Sequence, residues 1–131
     1  MRVVLQQQTL AKQVSFSGVG LHSGNKVSMT LLPAPASTGI IFRRVDLESR
    51  FEIPAHIKYV TETSRSTTIS KGKVKVQTIE HVLASLAGFG ITNAIIEVDS
   101  NEPPIADGSS RRFCRMAVSY THLTLPTKRI V

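Results

Sequence analysis

Apolar residues between positions 79 and 86 recur with the period of an α-helix. They occupy positions i, i+3, i+4 and i+7, which share one face of a helix with 3.6 residues per turn. Thr78 is the expected N-cap, and Gly88 and Gly90 supply stop signals at the far end. The pattern therefore predicts an amphipathic helix from position 78. Its apolar face comprises Ile79, Val82, Leu83 and Leu86.

Most of the remaining chain has the alternating pattern of β-strands. Lys26–Leu32 places Val27, Met29 and Leu31 on one face, and a proline-rich segment then ends the strand. Lys71-Gly72 predicts the turn of a hairpin between two short strands. The other predicted strands are Thr9–Ser17, Gly39–Arg43, Phe51–Ile53 (as an edge strand), Ser66–Ile69, Lys73–Val76 and Asn93–Asp99.

A second helix is predicted near the end of the chain. Asp107–Ser110 has the composition of a turn followed by an N-cap, and the predicted helix covers Arg111–Ala117. Cys114 on its apolar face is expected to be a small core residue. Several antiparallel strands with two helices predict an α+β fold, specifically a two-layer sandwich of a mainly antiparallel sheet packed on two helices.

Length and composition predict one globular domain. The chain has 131 residues, of which 41% are apolar, enough for a single core. No apolar run approaches 18 residues, so we expect no membrane span, and the first residues turn polar too early for a signal peptide. A single cysteine cannot form an intramolecular disulfide, and it fits a reducing compartment. We therefore expect a cytoplasmic protein.

The net charge of +7 raises the question of a nucleic-acid partner. The basic residues are scattered along the chain, and no segment resembles a recognition helix or an aromatic RNA-binding strand. We therefore predict no nucleic acid as partner. A solvated basic surface is the simpler interpretation, and such a surface also suits a small ligand that carries phosphate.

Glu80 and His81 lie side by side at the start of the predicted helix, off its apolar face. A glutamate beside a metal-ligating histidine could act as general base on a metal-bound water, although such a pair is more often structural. A zinc site needs three or four protein ligands. His22, His56 and His122 form no His-x-x-x-Asp or His-x-x-x-His pattern, so local spacing predicts no complete metal site.

Neither the glycine-rich turn nor the nearby carboxylates predicts a site by itself. Gly18–Gly24 departs from the dinucleotide-binding fingerprint because its third glycine comes one position late and a strand follows. A tight turn between strands is the better interpretation, with His22 at its tip facing any ligand. Asp99, Glu102 and Asp107 stand among proline and turn residues, so turn stabilisation explains them better than a paired-carboxylate site.

Four segments, taken together and in this order, resemble the N-terminal domain of the UDP-3-O-acyl-N-acetylglucosamine deacetylases, the zinc amidases of lipid A biosynthesis. The resemblance runs from about Gln8 to Ala117 without an obvious gap. The segments that carry it are Ser17–Gly24, Thr78–Leu86, Asn93–Val98 and Pro104–Ser110.

The resemblance implies roles for particular residues. Glu80 matches the family's general base, and His81 matches one of its zinc ligands. The segment Thr63–Thr68 is expected to line the acetamido end of the site, and Asp107–Ser109 matches a structural turn. The implied substrate-binding residues are Leu21, His22, Ser66 and Thr67.

The resemblance also implies a cofactor, a substrate and a second domain. Zn²⁺ is the expected cofactor, and UDP-3-O-acyl-N-acetylglucosamine is the expected substrate. Family members have two domains of similar fold, like domain 2 of ribosomal protein S5, with the site between them. The other zinc ligands belong to a His-x-x-x-Asp motif of the second domain, as does the histidine that protonates the leaving amine. None of these residues occurs here, so we expect this chain to be inactive alone.

The end of the chain resembles something other than a protein domain. Val118–Thr127 resembles a transposon-type sequencing adapter translated in one frame. We therefore expect residues 1–117 to be the natural domain and 118–131 to be an artefact, with a missing C-terminal domain. The alternative is a stand-alone module that binds a nucleotide-sugar or nucleic acid. A parent gene fused to a hydroxyacyl-carrier dehydratase, as in some family members, is a further alternative.

Overall fold

The structure contains both α-helix and β-strand, and strands dominate it. The computed structural model describes residues 3–20, 23–64, 66–105, 121–122 and 127–130. Within these ranges there is one α-helix, α1 (Glu80–Gly88), and a 3₁₀ turn at Ile57–Tyr59. The strands are β1 (Val3–Gln6), β2 (Thr9–Leu10), β3 (Val14–Gly20), β4 (Lys26–Pro33), β5 (Ile40–Arg44), β6 (Phe51–Pro54), β7 (Val60–Glu62), β8 (Thr68–Lys71), β9 (Val74–Gln77), β10 (Ala94–Val98), β11 (Pro104–Ile105), β12 (Thr121–His122) and β13 (Thr127–Ile130).

The main sheet has six strands in the order β11-β3-β4-β10-β5-β6. Its pairs are antiparallel except for β10 and β5, which run parallel. Ile96 of β10 lies between Leu31 of β4 and Phe42 of β5, and all three side chains are buried. The alternation predicted for β4 is confirmed, because Val27 and Met29 are buried as well. The predicted edge strand is also confirmed, since β6 ends the sheet.

A smaller sheet of three strands, β7-β8-β9, packs into the same core. Its β8–β9 hairpin turns at Gly72, which has a φ of 64°, as the turn prediction requires. Ile69 and Val76, paired across this hairpin, are both fully buried. Two further antiparallel pairs join β1 to β13 and β2 to β12.

Helix α1 contributes its predicted apolar face to this core. Val82 and Leu86 are buried, as is Ile79 immediately before the helix, and Leu83 packs against them partly buried. The predicted end is confirmed too. Gly90 has a φ of 71°, and the backbone N–H of the next residue, Ile91, donates to the carbonyl of Leu86 at 2.9 Å.

The predicted N-cap is wrong. Ile79 occupies the N-cap position, and no side chain caps the first turn. Thr78 instead has a left-handed backbone, with a φ of 59°, and its hydroxyl donates to Oε2 of Glu102 at 3.2 Å. A bond to a distant residue therefore replaces the local cap.

Other sequence predictions need correction or lie outside the described residues. The strand predicted over Thr9–Ser17 is divided into β2 and β3, because three exposed residues at 11–13 interrupt it. The second helix predicted over Arg111–Ala117, with Cys114, lies outside the described residues, as does the turn Asp107–Ser110. In the part of the chain that the structure describes, no helix has the length and apolar content needed to cross a membrane.

Candidate functional site

Glu80 opens α1 with its carboxylate held by a neighbouring strand. Its Oε1 accepts a hydrogen bond from the backbone N–H of Thr67 at 3.0 Å, and the N–H of Ile79 donates to the carbonyl of Thr67 at 3.3 Å. The residue just before β8 is thus bonded twice to the start of the helix. A carboxylate in this position also interacts favourably with the positive end of the helix dipole. The side chain of Glu80 is therefore oriented before any ligand binds.

His81 follows Glu80 in the first turn and is partly buried. The described residues contain no group of three His, Cys, Asp or Glu side chains placed to hold a metal ion. They therefore do not make a zinc site by themselves. His56 has a local role, because its Nδ1 accepts from the backbone N–H of Lys58 at 3.1 Å and caps the 3₁₀ turn.

The predicted substrate-binding residues divide into two groups. Ser66 and Thr67 are partly buried, and the backbone of Thr67 contacts Glu80. The structure thus brings together two segments that are separate in the sequence. Leu21 and His22 lie outside the described residues, although their neighbours Gly20 and Ser23 are described.

Glu102, which the sequence pattern assigned to turn stabilisation, is a further candidate functional residue. It is fully buried, with none of its surface exposed. Its Oε1 accepts from the backbone N–H of Ser23 at 2.7 Å, and its Oε2 accepts from the hydroxyl of Thr78 at 3.2 Å. The same carboxylate therefore bonds the turn after β3 and the residue that precedes the helix start. Its position between Asn101 and two prolines looks like an ordinary turn in the sequence, so burial was the missing signal.

Gly20 provides the space for this carboxylate. A Cβ atom at position 20 would lie 2.8 Å from Cδ of Glu102 and 2.5 Å from Oγ of Ser23, well inside van der Waals contact. Gly20 also pairs with Pro104 across β3 and β11, which brings the strand end beside Glu102. The glycine at this position is therefore required by a close approach of side chains.

A separate groove of about 600 Å³ contains a cluster of charged residues. Arg43 bonds Glu52 at 2.7 Å and Glu97 at 2.9 Å, and Arg50 also pairs with Glu97. The hydrogen bonds to Glu52 and then Glu97 raise the pKa of Arg43 above its usual value. The carboxylates thus offset much of the positive charge here. None of the predicted site residues lines this groove.

Comparison with known proteins identifies a family. The sequence model of the family described as UDP-3-O-acyl N-acetylglycosamine deacetylase matches residues 7–129, nearly the whole chain. This match extends past the boundary predicted at residue 117, which stays a prediction.

Curated relatives agree with the family match. The chain is 57% identical over 111 residues to the UDP-3-O-acyl-N-acetylglucosamine deacetylase of Idiomarina loihiensis, and 54% identical over 110 residues to that of Legionella pneumophila. It is 50% identical to that of Teredinibacter turnerae. Each alignment covers 84% of this chain and 36% of the relative. The chain therefore spans about a third of the length of the curated relatives that it matches.

Two glycine substitutions test the packing around Glu102. Gly20→Ala should lower the free energy of unfolding by about 1–3 kcal/mol, because the new methyl group overlaps a buried carboxylate that is bonded at both oxygens. Gly88→Ala is the control: apart from its chain neighbours and the backbone of its own helix, no described atom lies within 4 Å of the added Cβ, and alanine favours the helix by up to about 1 kcal/mol. Urea unfolding measures both. Equal unfolding free energies for Gly20→Ala and the unsubstituted chain would contradict the packing described.

Proposed function

Because this chain belongs to the UDP-3-O-acyl N-acetylglycosamine deacetylase family, we propose that it supplies the general base and one metal ligand of a zinc-dependent deacetylase. The substrate in this proposal is UDP-3-O-acyl-N-acetylglucosamine, and the reaction hydrolyses its acetamide during lipid A synthesis. The observation that carries the proposal is the orientation of Glu80 by Thr67, in the segment that the family resemblance assigns to the acetamido end of the site.

Glu80 is suited to accept a proton from the attacking water. Its Oε1 is occupied by the N–H of Thr67, and its Oε2 has no hydrogen-bond partner among the described residues. In the proposed reaction Oε2 takes a water proton while the water oxygen bonds to the acetamide carbonyl carbon. The C–N bond then breaks and leaves acetate and a free amine, which takes its proton from a donor outside the described residues. Holding the carboxylate in place lowers the entropy lost in reaching this geometry.

His81 is the proposed metal ligand, and the other zinc ligands are proposed to lie in a second domain outside this chain. This division is supported by the coverage of the relatives, since the chain spans only 36% of their length. We propose that Leu21, His22, Ser66 and Thr67 contact the substrate, and that the chain alone is inactive. The cytoplasm is the proposed location, on the basis of the single cysteine.

The proposed activity can be tested by joining the chain to the proposed second domain of a relative. We define the joined protein as the full 131-residue chain connected by a flexible linker to the portion of the Idiomarina loihiensis relative outside its match. The joined protein should release acetate from UDP-3-O-acyl-N-acetylglucosamine only with zinc, and the chain alone should release none. Glu80→Gln should lower kcat by about 10²–10⁴-fold, the range typical of a lost general base.

Glu48→Gln is the control for the joined protein. Glu48 is exposed, and its substitution removes the same charge as Glu80→Gln. It should retain full activity. Acetate release that survives Glu80→Gln, or that the chain produces by itself, would contradict the proposed division of the site.

The proposed second domain can be sought in the gene. Resequencing the source locus beyond the codon of Ala117 with a different library chemistry should show the frame continuing into a segment with His-x-x-x-Asp. It should also replace the residues that resemble adapter sequence. A frame that reads through Val118–Val131 unchanged and then stops would contradict both the adapter interpretation and the second domain in this chain.

A further inference from the structure

The buried carboxylate of Glu102 links the two segments that flank the proposed site. Glutamates are seldom buried completely unless they are paired or hydrogen-bonded, because removing an ionised carboxylate from water is costly. Glu102 receives the N–H of Ser23 on one oxygen and the hydroxyl of Thr78 on the other. The side chain of Glu102 thus connects the turn after β3 to Thr78, which lies just before the helix.

Two backbone features accommodate this connection. At position 20 only a glycine leaves room for the carboxylate, as the close approach of its Cδ shows. At position 78 a threonine adopts a φ of 59°, a conformation that is unfavourable for a β-branched residue. Strained residues of this kind persist where the surrounding structure holds them, and they concentrate at functional sites. Here the hydroxyl of Thr78 points to Glu102 as a result.

The connection continues from Thr78 to Glu80. The backbone N–H of Ile79 bonds the carbonyl of Thr67, whose own N–H bonds Oε1 of Glu80. On the other side of Thr78, the N–H of Gln77 bonds the carbonyl of Asn101, the residue before Glu102, at 2.7 Å. A continuous series of bonds therefore runs from the turn at Ser23 to the carboxylate of Glu80.

We propose that Glu102 is a positioning residue for Glu80. It holds Thr78 in its left-handed conformation, and this sets where the helix starts relative to Thr67 and to the turn that follows β3. Glu102 acts through Thr78 and does not touch the substrate. The inference rests on the proposed function, because a positioning role requires Glu80 to be the base.

The connection itself can be tested in the 131-residue chain without any activity. Glu102→Gln replaces one of the two acceptor oxygens with an amide nitrogen, and Thr78→Val removes the donating hydroxyl. Both should shift the amide NMR resonance of Thr67, whose own hydrogen bond to Glu80 neither substitution removes directly. Thr78→Ser keeps the hydroxyl and should leave that resonance near its original position. Asp99→Asn is the matched control: Asp99 also accepts a backbone N–H, that of Ser28 at 2.9 Å. It should shift Ser28 but not Thr67.

The consequence for catalysis is tested in the joined protein. Glu102→Gln and Thr78→Val should lower kcat by about tenfold to a hundredfold, because a displacement of about 1 Å at a catalytic group has an effect of that size. KM should change by less than about threefold, since the loss is confined to the chemical step. Thr78→Ser, which keeps the hydroxyl, should have a kcat close to that of the unsubstituted joined protein. Asp99→Asn should leave kcat unchanged. Thermal unfolding of each variant confirms that the folded protein is being compared.

The outcomes separate this inference from the proposed function. An unmoved Thr67 resonance in both Glu102→Gln and Thr78→Val overturns the positioning role, whatever the activity. So does a folded Thr78→Val protein with normal kcat, or a parallel loss of kcat in Thr78→Ser. If Thr67 responds but the unsubstituted joined protein releases no acetate, the proposed function fails while the connection stands. If Glu102→Gln does not fold, the comparison of Thr78→Val with Thr78→Ser tests the positioning role.

Discussion

The structure depends on one requirement, that the buried carboxylate of Glu102 keep its hydrogen bonds. A carboxyl group without contact with water is tolerated when its oxygens are hydrogen-bonded, because an unpaired buried polar group is costly. The donors come from Ser23 and Thr78, which lie in different parts of the chain. These two hydrogen bonds hold the turn after β3, the residue before the start of α1 and the segment after β10 close together. The position of Glu80 at the helix start follows from this arrangement.

Sequence periodicity predicted the elements that depend on burial of one face. The alternation in β4 and the apolar face of α1 are confirmed, because each places its apolar side chains in the shared core. The N-cap was wrong for a reason that local pattern cannot show. A cap would require the Thr78 oxygen to accept from a backbone N–H of the first turn, whereas its hydroxyl donates to the distant buried side chain of Glu102.

The candidate site was only partly predictable. The adjacency of Glu80 and Thr67 follows from the packing of β8 against the helix start, and no spacing in the sequence indicates it. The family resemblance indicated both residues, and the family match confirms that resemblance. Glu102 was interpreted as a turn residue because prolines surround it. Its burial becomes evident only when β11 pairs with β3 and brings Gly20 alongside.

The bonds that orient Glu80 all lie within this chain, whereas the described residues contain no complete set of metal ligands. In the proposed function, this chain orients the general base and a second domain supplies the remaining zinc ligands.

Native-state hydrogen exchange of the 131-residue chain tests the central claim most directly. The amides of Ser23, Thr67 and Gln77 belong to one bonded unit, so they should open together and show the same free energy of opening. The amide of Ser37, whose hydrogen bond to Oε1 of Gln7 is exposed to solvent, should exchange with a lower free energy. Three different opening free energies for the three amides, with Ser23 as labile as Ser37, would show that Glu102 does not hold the site as a unit.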